Sequence, residues 1–472
     1  MREPLPAVLC AALVALTGAC DQHVPPTEPP PVSSDAELRA LITGWGVMPI
    51  APVARQDPPL VDLGRSLFFD KILSGNRDVS CATCHDPLAH GADAQSLSIG
   101  TGGVGHGSTR TPGPGRHFLA RNAPSLLNLA VGSFYMFWDG RVEGRPEWLT
   151  TPAGGAIPPG LTSLLAAQAM FPVVSREEMR GVPDDRDRFG NQNELAQLGD
   201  DQFVEIWRAE MRRLLAVQEY VAKFNAAYPG TPTSELGFQH AANAIAAFEI
   251  EAFTRTDTPF DRFLSGDISA LSAEAKRGAR LFFDRARCAS CHSGPMLGGQ
   301  GFANAGTPQL GPGTSDGAPL DLGRGGLLAR GDTLLPGPVP PPGAPFPPGS
   351  EYRFAFRVAP LRNVELTAPY THAGAYATLE AVVRHYNDVR KALRTYDVQQ
   401  LRPELRGTYH GDDATINAVL ETLDFRVRDP LGLTDAEIRD LVAFLKSLTD
   451  PSARDLTAIA PESVPSGLPV RE

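Results

Sequence analysis

Wherever the chain is patterned, its hydrophobic positions recur with the period of a helix. "TDAEIRDLVAFLKSL" (434–448) places Ile438, Leu441, Leu445 and Leu448 on one face, and Thr434 with Glu437 forms a capping box at its start. "LGFQHAANAIAAFEIEAF" (236–253) has similar spacing, which makes His240 a packed helix residue rather than a ligand. Two related stretches, "GRSLFFD" (64–70) and "GARLFFD" (278–284), predict a repeated helix whose phenylalanine pairs belong to the core. No long alternating run predicts a strand, so the expected fold class is mainly α.

Composition adds loops to this picture. Glycine (46) and proline (44) concentrate at 100–116 and 303–350, where "PGPVPPPGAPFPPGS" excludes helix and central strand. A chain of 472 residues, 42% hydrophobic, has material for two or more cores. The net charge of −11 and the absence of a basic run argue against nucleic acid and leave an acidic face able to steer a basic protein partner.

Each repeated helix leads into a cysteine motif, "CATCH" (81–85) and "CASCH" (288–292). Cys-x-x-Cys followed at once by histidine is c-type haem attachment: two thiols form thioethers and the histidine becomes an axial ligand. Cys81, Cys84 and His85 would hold one haem c, and Cys288, Cys291 and His292 a second. A zinc or thioredoxin-like use of the pairs is the competing reading. The phenylalanine pairs would then pack their helices against a haem edge. Cys10 and Cys20 complete the six cysteines and leave none for a disulfide. Residues 1–20 read as an export signal, with "LTGAC" resembling a lipobox that would lipidate Cys20 and keep the chain in the periplasm, touching the membrane only through that anchor.

The expected organisation is therefore a signal over 1–20, a Pro-rich tether over 21–35, a first haem domain over 36–231, a second over 232–450 and a tail over 451–472. The break at 232 follows the turn-rich "AAYPGTPTSE". The architecture is two cytochrome c-like haem domains with long Gly/Pro-rich loops.

Taken in order, "LGRSLFFDKILSGNRDVSCATCH", "RNAPSLLNLA", "FWDGR", "TPFDRFLSGD", "CASCHSGP", "VAPLRNVELTAPYTHAG" and "TLEAVVRHYN" resemble the bacterial dihaem cytochrome c peroxidase family, including its MauG branch. The resemblance implies a peroxide-reacting first haem on His85, an electron-handling second haem on His292, and Trp138 as relay between them. It implies a distal pocket of Gln168, Pro172 and Glu178, with Glu178 as acid–base group and Glu177 as its competitor. It also implies a calcium ion held by Asn122, Thr367 and Pro369. A histidine that blocks the first haem in some members has no convincing match: His106 and His117 are read as loop residues.

Met296 lies four residues past His292, and a reach of roughly 14 Å is too short to round the porphyrin edge. The remaining candidates for a sixth ligand are His372, His385, Tyr386 and His410; the resemblance selects Tyr386, as in the MauG branch, with His385 as rival. Thioether ligation would raise the potential, whereas phenolate stabilises oxidised iron. The expected activity is reduction of hydrogen peroxide to water, with electrons from a small cytochrome, a cupredoxin or an oxidisable substrate. The alternatives are a MauG-like oxidase acting on a protein substrate and a non-enzymatic dihaem electron carrier.

Overall fold

The computed structural model describes residues 34–314, 317–329 and 352–471. The expected signal, nearly all of the expected tether, and "PGPVPPPGAPFPPGS" lie outside them. The fold is mainly helical, and among the described residues no helix is long and apolar enough to cross a membrane.

Two helix pairs organise the chain, and each crosses at the glycine of the repeat. The leading helix Pro58–Phe69 packs on the crossing helix Phe238–Phe253, and the leading helix Ala273–Phe283 packs on Asp435–Lys446. A Cβ at Gly64 would sit 1.8 Å from the Ala244 carbonyl oxygen, and one at Gly278 would sit 1.9 Å from that of Asp440. Only glycine lets the backbones approach so closely. Phe68 then meets Phe248 at 5.1 Å and Phe253 at 5.9 Å, while Phe282 meets Phe444 at 5.1 Å. The phenylalanine pairs thus pack mainly on the crossing helices, although Phe282 also lies 6.4 Å from the His292 ring and lines the cavity there.

This packing corrects the expected boundaries. Helix Phe238–Phe253 contributes to the first core, so the break at 232 does not separate the cores; the chain changes core after Phe253. The termini are also exchanged. Helix Asp35–Gly44 buries Leu38 and Ile42 in the second core, where Asp35 pairs with Lys276 at 2.8 Å and Trp45 Nε1 donates to the Phe283 carbonyl at 2.9 Å. The expected tail instead buries Ala453, Leu456, Val464 and Leu468 in the first core. There Arg65 donates to the Ile459 and Ala460 carbonyls at 2.8 and 2.9 Å, and Ser466 Oγ to Asp70 at 2.6 Å. Apolar periodicity identifies a buried face, but not the core that buries it.

Short strands supply the rest. Tyr135–Met136, Val142–Arg145 and Trp148–Thr150 form an antiparallel sheet with Met136 opposite Val142 and Glu143 opposite Thr150. Phe302–Ala303 pairs with Phe356–Arg357. The 100–116 loop wraps around buried Arg110, which donates to the carbonyls of Ile99, Gly100 and Gly105 at 2.7–3.0 Å.

Gly278→Ala is expected to cost about 1–3 kcal/mol by overpacking, seen as a lower denaturant midpoint of the holoprotein. An unchanged midpoint would show that the crossing has slack.

Candidate active site

The first cysteine motif opens onto a cavity of about 600 Å³, lined by Cys81, Cys84 and His85. The second opens onto one of about 280 Å³, lined by Cys288, Cys291 and His292. His85 Nδ1 lies 3.0 Å from the Gly91 carbonyl, and His292 Nδ1 lies 3.0 Å from that of Leu297. A carbonyl only accepts, so Nδ1 carries the proton and Nε2 keeps the lone pair a metal needs. Shielding from water lowers both imidazole pKa values, that of His292 to about 4, so the rings are neutral donors at pH 7.

The four cysteines are unpaired, and shielding from water pushes the Cys81 and Cys288 thiols up to about 12. Reactive redox thiols have depressed values, and no cluster of three metal-ligating side chains occurs among the described residues. The raised thiols do not resemble those of a reactive thiol pair. Two thiols and a neutral histidine on one mainly apolar cavity suit covalent haem.

Gln168, Pro172 and Glu178 line the first cavity together with Cys81, Cys84 and His85. Ser163 caps helix Leu164–Ala169, Trp207 Nε1 holds the Met170 carbonyl at 2.9 Å, and Ser175 Oγ accepts from Glu178 N at 3.3 Å. From below, Thr101 N donates to the Glu178 carbonyl at 2.9 Å. A Cβ on Gly100 would lie 2.0 Å from the Glu177 carbonyl oxygen, so the supporting loop needs a glycine there. Glu178 keeps 32% of its side chain accessible and stands 3.8 Å from Arg141. Shielding from water raises its pKa; Arg141 opposes this and Glu177 adds to it. Glu177 also lines the cavity but is exposed.

Trp138 lines both cavities and donates from Nε1 to the Asn122 carbonyl at 2.9 Å. The next residue, Asp139, binds Arg121, whose guanidinium also holds Asp321 at 2.6 and 2.9 Å. Burial opposes ionisation of Asp139, but Arg121 and Arg141 overcome it and hold its carboxyl far below the usual range.

The family description "Di-haem cytochrome c peroxidase" matches residues 58–269. The chain is 33% identical over 344 residues to cytochrome c551 peroxidase of Pseudomonas aeruginosa, covering 72% of this chain and 75% of that protein. This chain belongs to the di-haem cytochrome c peroxidase family. It is also 29% identical over 456 residues to methylamine utilization protein MauG of Methylorubrum extorquens, covering 95% and 97%. The fold resembles a MauG-like protein associated with microbial copper homeostasis (TM-score 0.54, 24% identity, 86% and 94% covered). It likewise resembles the diheme peroxidase BthA from Burkholderia thailandensis (TM-score 0.54, 21% identity, 89% and 92% covered). As a di-haem cytochrome c peroxidase, the protein is an oxidoreductase acting on peroxide with two haem c groups.

Within this di-haem cytochrome c peroxidase, the sixth-ligand candidates separate by position. Tyr386 lines the second cavity, close enough to Cys291 and Cys288 that they join shielding from water in raising its phenol pKa. His385 points its ring elsewhere: Nδ1 lies 2.7 Å from Tyr376 Oη and Nε2 2.8 Å from the Ala305 carbonyl. His372 lines the cavity but stacks on Phe356 at 3.4 Å, where Asp321 and Arg121 act on it. His410 Nε2 faces the Gly311 carbonyl at 3.0 Å, and Met296 is buried; neither lines the cavity. His106 and His117 are exposed and do not line the first cavity. Asn122, Thr367 and Pro369 share a wall of the second cavity, and the Asn122 Oδ1 and the Thr367 and Pro369 carbonyl oxygens accept no hydrogen bond from the described residues.

Sequence reasoning missed Arg121 and Arg141, although both stood inside quoted motifs. Arg121→Met leaves buried Asp321 without its cation and Asp139 with Arg141 alone, and is expected to cost about 3–5 kcal/mol, read by denaturation. Both carboxyls have depressed pKa values. Their stabilisation is therefore complete at neutral pH and lost as pH falls through the folded-state values, so the difference from wild type should shrink in acid.

Proposed function

We propose that hydrogen peroxide is reduced to water in the first cavity and that Glu178 is its acid–base group. The observation that carries this reading is that Gln168, Pro172 and Glu178 share one cavity with Cys81, Cys84 and His85. His85 is the only histidine lining that cavity among the described residues. When bound, the first haem, held by Cys81, Cys84 and His85, would supply the electrons that reduce peroxide. The Glu178 carboxylate accepts the proton of the inner peroxide oxygen and returns it to the outer one, which leaves as water. Arg141 keeps the carboxylate available despite its shielding, and Gln168 and Pro172 shape the space beside it. On this reading Trp138, which lines both cavities, relays electrons between them.

On this reading Tyr386 would join His292 in holding the second haem, and its phenolate would favour storage of an oxidising equivalent there. That placement, together with near full-length similarity to MauG, also supports a second reading in which a residue of a partner protein is oxidised. Otherwise the electrons come from a small cytochrome, a cupredoxin or an oxidisable substrate. The free oxygens of Asn122, Thr367 and Pro369 suit a hard cation such as calcium, which would tie the RNAP and LTAPY segments together. We place the protein in the periplasm, lipid-anchored through Cys20, on the strength of "LTGAC" alone.

Glu178→Gln is expected to slow peroxide consumption by roughly 10²–10⁴-fold with both haems still attached. In wild type only the carboxylate accepts the proton and its pKa is raised, so activity should fall on acidification at a pH above the ordinary glutamate range. Full turnover in the variant would reject the assignment. Tyr386→Met is expected to alter the optical and EPR spectra of the second haem alone and to raise its potential. An unchanged spectrum would remove tyrosine ligation.

A further inference from the structure

Among the described residues, Arg357 is the one deeply buried arginine whose charge and donors are both left uncompensated. It is 4% exposed, and shielding from water lowers its pKa to about 10, which leaves it charged at neutral pH. Arg180, Arg213, Arg324 and Arg362 are buried to a similar degree, and each pairs with a carboxylate. Arg110 has no such pair, but all three of its nitrogens donate to backbone carbonyls. Arg357 has neither kind of compensation. Its Nη1 reaches the Tyr135 carbonyl at 3.3 Å and Ser133 Oγ at 3.4 Å, and its Nε has no partner. A buried guanidinium in that state is strongly unfavourable, because it has left water without an anion or a full set of acceptors to replace it.

The position of Arg357 indicates what would compensate it. Its backbone N–H donates to the Trp138 carbonyl at 2.7 Å, and with Trp138 it lines both cavities at the wall they share. The carboxylates of that wall, Asp139 and Asp321, are already engaged by Arg121. Glu249, on the first cavity, is pushed up to about 8 by burial alone, with no contribution from Arg357, so the two are not a pair. An anion has to come from the occupant of a cavity. Haem c brings carboxylates of its own, its propionate side chains, and a planar guanidinium meets a carboxylate with two parallel N–H bonds. The unpaired Nε side of Arg357 offers that fork.

We propose that Arg357 binds a haem propionate at the wall between the cavities, as a positioning residue that fixes the inward edge of a haem against the Trp138 loop. The ligand is a carboxylate held by charge and by two-point hydrogen bonding, and the experiment tells which of the two haems donates it. The proposal needs the two haems that family membership supplies. It is independent of the acid–base role of Glu178 and of ligation by Tyr386.

The test compares resonance Raman spectra and potentiometric titrations of the di-haem holoprotein in wild type, Arg357→Gln and Arg357→Lys. Propionate bending bands respond to hydrogen bonding at the carboxylate, and the haems are told apart by their separate reduction steps. In Arg357→Gln the bands of one haem are expected to shift and its potential to fall, because an uncompensated carboxylate stabilises oxidised iron. That potential should also become pH-dependent near neutrality, since the released propionate can take up a proton. Arg357→Lys keeps the charge but not the fork; it should shift the bands by a smaller, still measurable amount and restore most of the potential. The haem whose bands move is the donor of the carboxylate. Unchanged bands in both variants would overturn the contact even if a potential moved, because a charge acting through space alters the potential without touching the propionate. If Arg357→Gln attaches no haem, Arg357→Lys decides, and bands identical to wild type overturn the proposal.

Discussion

One guanidinium group holds the wall between the two cavities. Arg121 binds Asp139, next to Trp138, and at the same time Asp321, two hundred residues further along the chain. A nearly buried cation between two buried anions is tolerable only when all three are held in register, because any one of them alone would be an uncompensated charge. The arrangement therefore fixes the FWDGR loop to the second half of the molecule and leaves Trp138 little freedom. Asn122, the neighbour of Arg121, accepts the indole N–H through its carbonyl, so the same short segment sets both the charge and the orientation of the ring.

Around that wall the two sites share construction and differ in chemistry. Both begin with a leading helix pressed against a crossing helix at a glycine, and both aim a histidine by bonding its Nδ1 to a backbone carbonyl five or six residues on. What lies opposite is different. The first cavity meets a half-shielded carboxylate flanked by a guanidinium, suited to moving protons, while the second meets a phenol among apolar side chains. A shared scaffold is thus specialised by a few residues placed far from the cysteine motifs.

Much of this was legible in the chain. The repeated GxxLFFD and CxxCH stretches mark both sites because covalent attachment and tight helix crossing each demand particular residues at particular spacing. Gln168, Pro172 and Glu178 were found by resemblance, and they do meet the first motif. The helix at 238–253 is legible as a helix but its partner is not, since a helical period of apolar positions contains nothing about which core buries it. Arg121 and Arg141 stood in quoted motifs without a role, because the groups that give them one include Asp321, distant in sequence. His385 and Tyr386 were separable only by the direction each ring takes from one helix turn.

The exchange of termini also ties the two halves together mechanically. Ala453, Leu456, Val464 and Leu468, which follow the second motif, are buried in the first core, while Leu38 and Ile42, which precede the first motif, are buried in the second. Each core is therefore closed by chain from beyond the other, and pulling either end would loosen the half that lies farther from it in sequence.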